Sequence, residues 1–137
     1  MSRLSAGLRL ALFLALAGFF GFGASTQARE PHPREAIFSV ALADLPSEAR
    51  HTLHLIQHGG PFPYPHKDGS TFGNFEKRLP PQARGYYREY TVPTPGSRDR
   101  GARRIIAGEG RNGDVATSGE YYYSADHYRS FFRIRER

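Results

Sequence analysis

The sequence predicts an α+β domain in which one N-terminal helix packs on a twisted antiparallel β-sheet. Three observations predict it. Apolar residues recur at helical spacing in one stretch only, "PSEARHTLHLIQHGG", residues 46–60. Four β-rich, aromatic segments follow, at 86–92, 103–108, 120–124 and 127–134, separated by turn-forming stretches. A helix followed by a run of strands, rather than a regular alternation of the two, is the α+β order. The chain has 137 residues, which suits one domain, and its 10 Phe and 8 Tyr supply core material.

The N-terminus reads as a leader. Arg3 and Arg9 precede the apolar run "LALFLALAGFFGFGA" (10–24), and "STQA" (25–28) offers a small-residue cleavage site. The apolar core is shorter than the ~20 residues of a spanning helix. Residues 1–28 are therefore expected to be a signal peptide, leaving a secreted mature chain with no membrane partner, the periplasm being the other destination. Residues 29–43 are expected to form an N-terminal arm and a first strand, with "IFSVALADL" (37–45) running from strand into turn. The main domain spans 44–137. There are no cysteines, which excludes a disulfide framework and a Cys₄ zinc site. The net charge of +6 suits a polyanion, an anionic surface or an acidic partner.

In the helix, Pro46 fits the first turn, Glu48 complements the dipole and Gly59 is a left-handed stop. Ala49, Thr52, Leu53 and Ile56 form the apolar stripe. His54 and His58 are spaced i, i+4, but no third ligand lies nearby, so a solvated polar face is expected and no metal site is assigned. Residues 61–81 are rich in Pro and Gly, and "KDGS" reads as a turn. The Gly-rich stretch 108–120 is a flexible connection.

"EYTVPTPGSRDRGARRI" (89–105) sets Glu89 before a turn and Arg98, Arg100, Arg103 and Arg104 after it. Arg100 and Arg104 share parity and reach one face if Gly101 does not break the run. Paired guanidinium groups suit phosphate. A carboxylate among cations can serve as a base, and a cross-strand salt bridge explains the same residues. His127 is expected at the start of the last strand, where a structural role or a general acid both fit. A base, an acid and two arginines suffice for phosphodiester cleavage without a metal.

Three blocks, "GGPFPYPHKDGSTFGNFEKRLP", "GYYREYTVPTPGSRDRGARRII" and "YYYSADHYRSF", resemble the microbial guanyl-specific ribonucleases, the family that contains barnase and the Streptomyces ribonucleases. The resemblance covers roughly residues 44–134. It implies the microbial ribonuclease fold, single-stranded RNA as substrate, no cofactor, a monomer, and an acidic barstar-like inhibitor protein as a partner. Glu89 matches the family's general base, His127 its general acid, and Arg100 and Arg104 the arginines that hold the scissile phosphate. Tyr128 matches a phosphate-contacting tyrosine. "FGNFE" matches the guanine loop, which assigns Phe72, Asn74, Phe75 and Glu76 to substrate binding. There Glu76 accepts from guanine N1 and N2, and Asn74 takes a left-handed position. The implied reaction forms a 2′,3′-cyclic phosphate, then hydrolyses it.

The chain departs from the family pattern in three places. Phe75 stands where the family usually has Arg, which removes a charge and offers a stacking surface. Asp99 lies between Arg98 and Arg100 and is expected to pair with one of them. The 108–120 connection is longer than in the relatives and is expected to form a lip near His127. A catalytically weak RNA- or anion-binding module on the same fold is the alternative function.

Overall fold

A computed structural model describes residues 36–137; the expected leader and the arm before Ala36 lie outside the described residues. The elements are β1 (Phe38–Ala41), a 3₁₀ turn (Leu42–Asp44), α1 (Ser47–His58), β2 (Ser70–Thr71), β3 (Tyr87–Thr91), β4 (Arg104–Gly108), β5 (Tyr121–Ser124) and β6 (Phe132–Arg135). The six strands form one sheet in the order β1-β6-β5-β4-β3-β2. One helix on a mostly antiparallel sheet is the architecture the sequence predicted.

Helix α1 starts where Pro46 turns the chain, its carbonyl accepting from Ala49 N (3.0 Å) and Arg50 N (3.1 Å). It ends at Gly59, with φ 79°. Ala49, Leu53 and Ile56 are buried against Tyr90, Ile105 and Ala107. Fully burying Leu53 and Ile56 contributes roughly 1.5–3 kcal/mol each. Thr52 Oγ1 donates to Glu48 O (2.9 Å) and reaches Thr91 O (3.3 Å), so the helix is tied to β3 beside the site.

Successive strand residues face opposite sides. Tyr90 and Ile105 therefore meet the helix, while Glu89 and its register partner Ile106 face away from it. The second face carries its own apolar cluster, with Leu79, Tyr87, Ile106, Tyr122 and Phe131 buried. The polar site is built at one end of that face.

The structure differs from the prediction in three respects. First, the sheet is not wholly antiparallel, because β1 pairs parallel with β6, Phe38 opposite Phe132. This pairing joins the two ends of the domain, and local periodicity carries no trace of it. The expected first strand is thus an edge of the main sheet, and the folded domain starts before residue 44. Second, β2 is a short strand at the end of the "KDGS" turn, Ser70 pairing with Glu89. Third, His127 does not begin a strand: β6 starts at Phe132, and residues before it form a turn.

Candidate active site

Glu89 is the centre of a hydrogen-bonded cluster. Its Oε1 accepts from Arg100 Nη2 (3.2 Å) and Ser70 Oγ (3.3 Å). Its Oε2 accepts from the Tyr128 hydroxyl, which in turn accepts from Arg104 Nε (3.2 Å). Burial raises the Tyr128 pKa, the hydrogen bond and charge of Glu89 raise it further, and Arg104 opposes the shift. The phenol therefore stays a donor across the neutral range.

Arg100 reaches Glu89 by a route that shared strand parity does not describe. Gly101 sits at φ 66° in an irregular segment, and β4 begins only at Arg104. Arg100 is instead aimed by Thr91 Oγ1, which accepts from its Nε at 2.6 Å. Thr91 is itself held, its N–H donating to Asp68 Oδ1 at 2.7 Å. Asp99 pairs with neither arginine. Its Oδ1 accepts from Ser97 Oγ and Gly101 N, both 2.8 Å, which shapes the turn.

Arg104 is 3% exposed, register partner of Thr91 on β3 and of Ser124 on β5. Its Nη1 donates to the carbonyls of Gly101 (2.9 Å) and Arg103 (2.7 Å). None of the ion pairs among the described residues includes it. A buried cation without a counter-ion is costly for a fold, so such a position is poised to take an anion. The other arginines of the segment differ: Arg98 is exposed, and Arg103 lies 4.0 Å from Glu48 on the helix.

His127 and Tyr128 form a left-handed pair, with φ 58° and 69°. Non-glycine residues at positive φ cost of order 1–3 kcal/mol each and need surroundings that impose them. Asp126 imposes them here. Its Oδ1 accepts from Ser124 Oγ (3.0 Å) and Ser130 N (2.9 Å), its Oδ2 from Ser130 Oγ (2.7 Å). Ser124 Oγ accepts in turn from Tyr128 N (2.9 Å). His127 N donates to Ala102 O (3.0 Å), tying the turn to the arginine segment. Burial alone would raise the Asp126 pKa, but these hydrogen bonds outweigh it and lower it.

A cavity of about 240 Å³ adjoins this cluster. Phe72, Asn74, Phe75, Glu76, His127 and Tyr128 all line it. Its size suits one heterocycle rather than a drug-sized ligand. Phe72 stacks at an angle on Tyr128, ring centroids 5.1 Å apart. Asn74 has φ 49°, the left-handed position expected, and its side chain closes the loop on Leu79 N (3.0 Å) and O (2.9 Å). Glu76 is exposed and pairs with Arg78 Nε at 2.7 Å. Phe75 is 93% exposed and its ring lies over Gly73, where any Cβ would collide with it.

All nine residues singled out in the sequence thus fall in two adjoining groups. Glu89, Arg100, Arg104 and Tyr128 touch one another, and the cavity gathers the loop residues with His127. Tyr128 belongs to both. Sequence reasoning missed Ser70, Thr91, Asp126 and Arg78 as supports. Thr91 was signalled by its shared parity with Glu89; the others depend on contacts that no spacing announces. The 108–120 connection does not border His127 but lines a different cavity.

A sheet with one helix, bearing a carboxylate and buried arginine beside a single-base cavity, defines an enzyme-like site for a phosphate-containing ligand. A model of the ribonuclease family matches residues 29–135. The guanyl-specific ribonuclease St of Saccharopolyspora erythraea is 55% identical over 92 residues, covering 67% of this chain and 82% of that protein. The guanyl-specific ribonuclease Sa of Kitasatospora aureofaciens is 53% identical over 96 residues, covering 70% and 92%. Among solved structures, ribonuclease Sa2 in complexes with mononucleotides superimposes with a TM-score of 0.65 at 46% identity, covering 74% of this chain and 96% of that one. Ribonuclease Sa2 with guanosine-2′-cyclophosphate gives the same TM-score and identity, covering 74% and 99%. The chain belongs to the microbial guanyl-specific ribonuclease family.

Proposed function

We propose that the chain is a secreted endoribonuclease that cleaves single-stranded RNA on the 3′ side of guanosine without a metal. The observation that carries the reading is Arg104, a buried guanidinium that joins no ion pair among the described residues, set beside a carboxylate and a tyrosine hydroxyl. The two arginines supply the positive charge that a metal would otherwise bring to a phosphoryl group.

In this mechanism Glu89 takes the proton of the ribose 2′-hydroxyl, and the 2′-oxygen attacks the adjacent phosphorus. The bond to the 5′-oxygen breaks as His127 delivers a proton to it. Arg100, Arg104 and Tyr128 hold the charge that builds on the phosphoryl oxygens. The 2′,3′-cyclic phosphate is then hydrolysed with the roles reversed, His127 activating water and Glu89 returning its proton. DNA lacks the 2′-hydroxyl and is not cleaved this way.

Guanine enters the cavity beside Phe72, with Glu76 accepting from N1 and N2. Glu76 must first leave Arg78, which costs little, since an exposed ion pair is worth about 0–1 kcal/mol. Phe75 closes over the base by stacking, in place of the charge carried there by an arginine in the family. Residues 1–28 direct export. The mature protein acts as a monomer, and its cationic surface is where an acidic inhibitor protein binds. The test is to incubate the mature protein with GpU and ApU in EDTA and look for cyclic phosphate. Cleavage of GpU with little of ApU is expected; no cleavage by the folded protein would leave only a binding module.

A further inference from the structure

The helix-free face of the sheet holds a second, larger cavity of about 660 Å³, which none of the residues assigned above lines. Tyr86, Glu120 and Arg133 line it, together with Gln82 and with Arg111 and Asn112 of the 108–120 connection. The lining is rigid. Glu120 accepts from the hydroxyls of Tyr86 and Tyr122 (2.9 Å for the second), with Arg133 Nη1 4.0 Å away. Arg133 also donates to Tyr122 OH (3.1 Å) and Gly119 O (2.9 Å). The Tyr86 ring is braced edge-on against Tyr87, centroids 4.9 Å apart.

The one carboxylate in the cavity is thus spent on its own lining. Arg111 joins none of the ion pairs among the described residues and lies exposed at the rim. What the cavity offers a ligand is guanidinium charge, amide groups and an aromatic ring. That combination recognises a nucleotide, through phosphate and base face together.

The two cavities are neighbours. Arg78 and Phe131 line the first; Gln82, just along the chain from Arg78, and Arg133, next but one to Phe131 on β6, line the second. The Leu79–Pro81 segment separates Arg78 from Gln82 along the chain, and Tyr87 OH donates to Pro80 O at 2.6 Å. In the ribonuclease reading, the scissile phosphate leaves the first cavity toward Glu89 and Arg104, on the 3′ side of the base. A strand that runs from the guanosine away from that phosphate, toward the second cavity, would then be its 5′ side.

We propose that the second cavity is a subsite for the nucleotide on the 5′ side of the cleaved guanosine, its phosphate held by Arg111 and its base by Tyr86. The inference rests on the ribonuclease reading for its polarity, but its test does not need turnover. Oligonucleotides carrying 2′-deoxyguanosine at the cleavage position cannot react, and their binding is read by fluorescence anisotropy. The wild type should bind a 5′-extended tetranucleotide at least about fivefold more tightly than the dinucleotide, the low end for one stacked base. Arg111→Ala should remove most of that gain and lower the slope of log K against log salt by about 0.7, the value for one single-strand phosphate contact. Arg111→Lys should retain the gain, and GpU cleavage should be unchanged in both. Equal binding of short and extended strands by the wild type overturns the proposal. So does a gain from 3′ rather than 5′ extension, or an Arg111→Ala variant that weakens both strands alike. Failure to cleave GpU, by contrast, sinks the ribonuclease reading, while the anisotropy still decides whether the cavity binds the strand.

Discussion

Replacing Glu89 by Gln separates the chemistry of the site from its architecture. Glutamine keeps the volume and one oxygen. With that oxygen toward Arg100 and Ser70, the bonds of 3.2 and 3.3 Å persist. The amide nitrogen then faces the Tyr128 hydroxyl, which can rotate from donor to acceptor. The Tyr128 hydroxyl, which already accepts from Arg104, loses the acceptor of its own proton, so the structural loss is that of one partly exposed ion pair and one hydrogen bond, on the order of 1–2 kcal/mol. The chemical loss is larger. A general base supplies about 10²–10⁴-fold, or about 2.7–5.4 kcal/mol of barrier. The expected result is at least a 10²-fold fall in kcat on GpU, with KM within a few-fold and the urea midpoint close to wild type. A fall of less than about tenfold in a folded variant would show that Glu89 is not the base. A collapse of the urea midpoint would show that it is structural.

The other predictions concern pH and the loop. Asp126 has a folded pKa below the reference 3.8, so its contribution to stability is present above that value and is lost as pH falls through the lower folded one. Asp126→Asn should lower the thermal midpoint at about pH 7, and the difference from wild type should shrink as pH falls below 3.8, while GpU cleavage slows about tenfold through loss of the His127–Tyr128 geometry; a difference that stays constant over that fall would refute this. Burial, then the hydrogen bond and charge of Glu120, push the Tyr122 hydroxyl from 10.0 up to about 12. Its contribution is present below pH 10.0 and lost as pH rises toward about 12, so thermal unfolding should show a falling midpoint across that window; a flat midpoint would count against it. Phe75→Ala should raise KM for GpU about fivefold or more, the low end for one stacked base, with kcat little changed, and a fall in kcat alone would remove Phe75 from the binding surface.

Much of the fold was legible because its central elements announce themselves locally. The helix and strands β3 to β5 lie within a residue or two of the segments that periodicity marked out. The errors came where a tertiary contact overrode a local preference. "HYRSFFRI" has strand composition throughout, yet its first residues are bent into a left-handed turn by Asp126, Ser124 and Ser130. Aspartate and serine are turn-forming residues, so the sequence held that signal, outweighed by the aromatics beside it. The β1–β6 pairing joins residues almost a full domain apart, which composition cannot reveal. At the site, residue types and order were legible, but the arginine geometry was not. Parity suggested a strand face for Arg100, whereas the structure uses an irregular turn and the Thr91 hydroxyl.

That substitution of turn for strand explains how one short segment carries two arginines of different character. Arg104, on β4 between Thr91 and Ser124, is fixed by the sheet, buried, and committed by its Nη1 to two carbonyls. Arg100 lies outside the sheet, 22% exposed at its side chain, and its charge is already balanced by Glu89. In the proposed mechanism an incoming phosphate therefore meets two different partners. With Arg104 it would neutralise a buried cation that joins no ion pair among the described residues, and burial strengthens that contact. With Arg100 it must compete against Glu89, so binding loosens the one ion pair that engages the base. On the proposed mechanism, the event that seats the phosphate would thus free the carboxylate oxygen facing Arg100, and substrate binding itself would ready Glu89 to accept a proton.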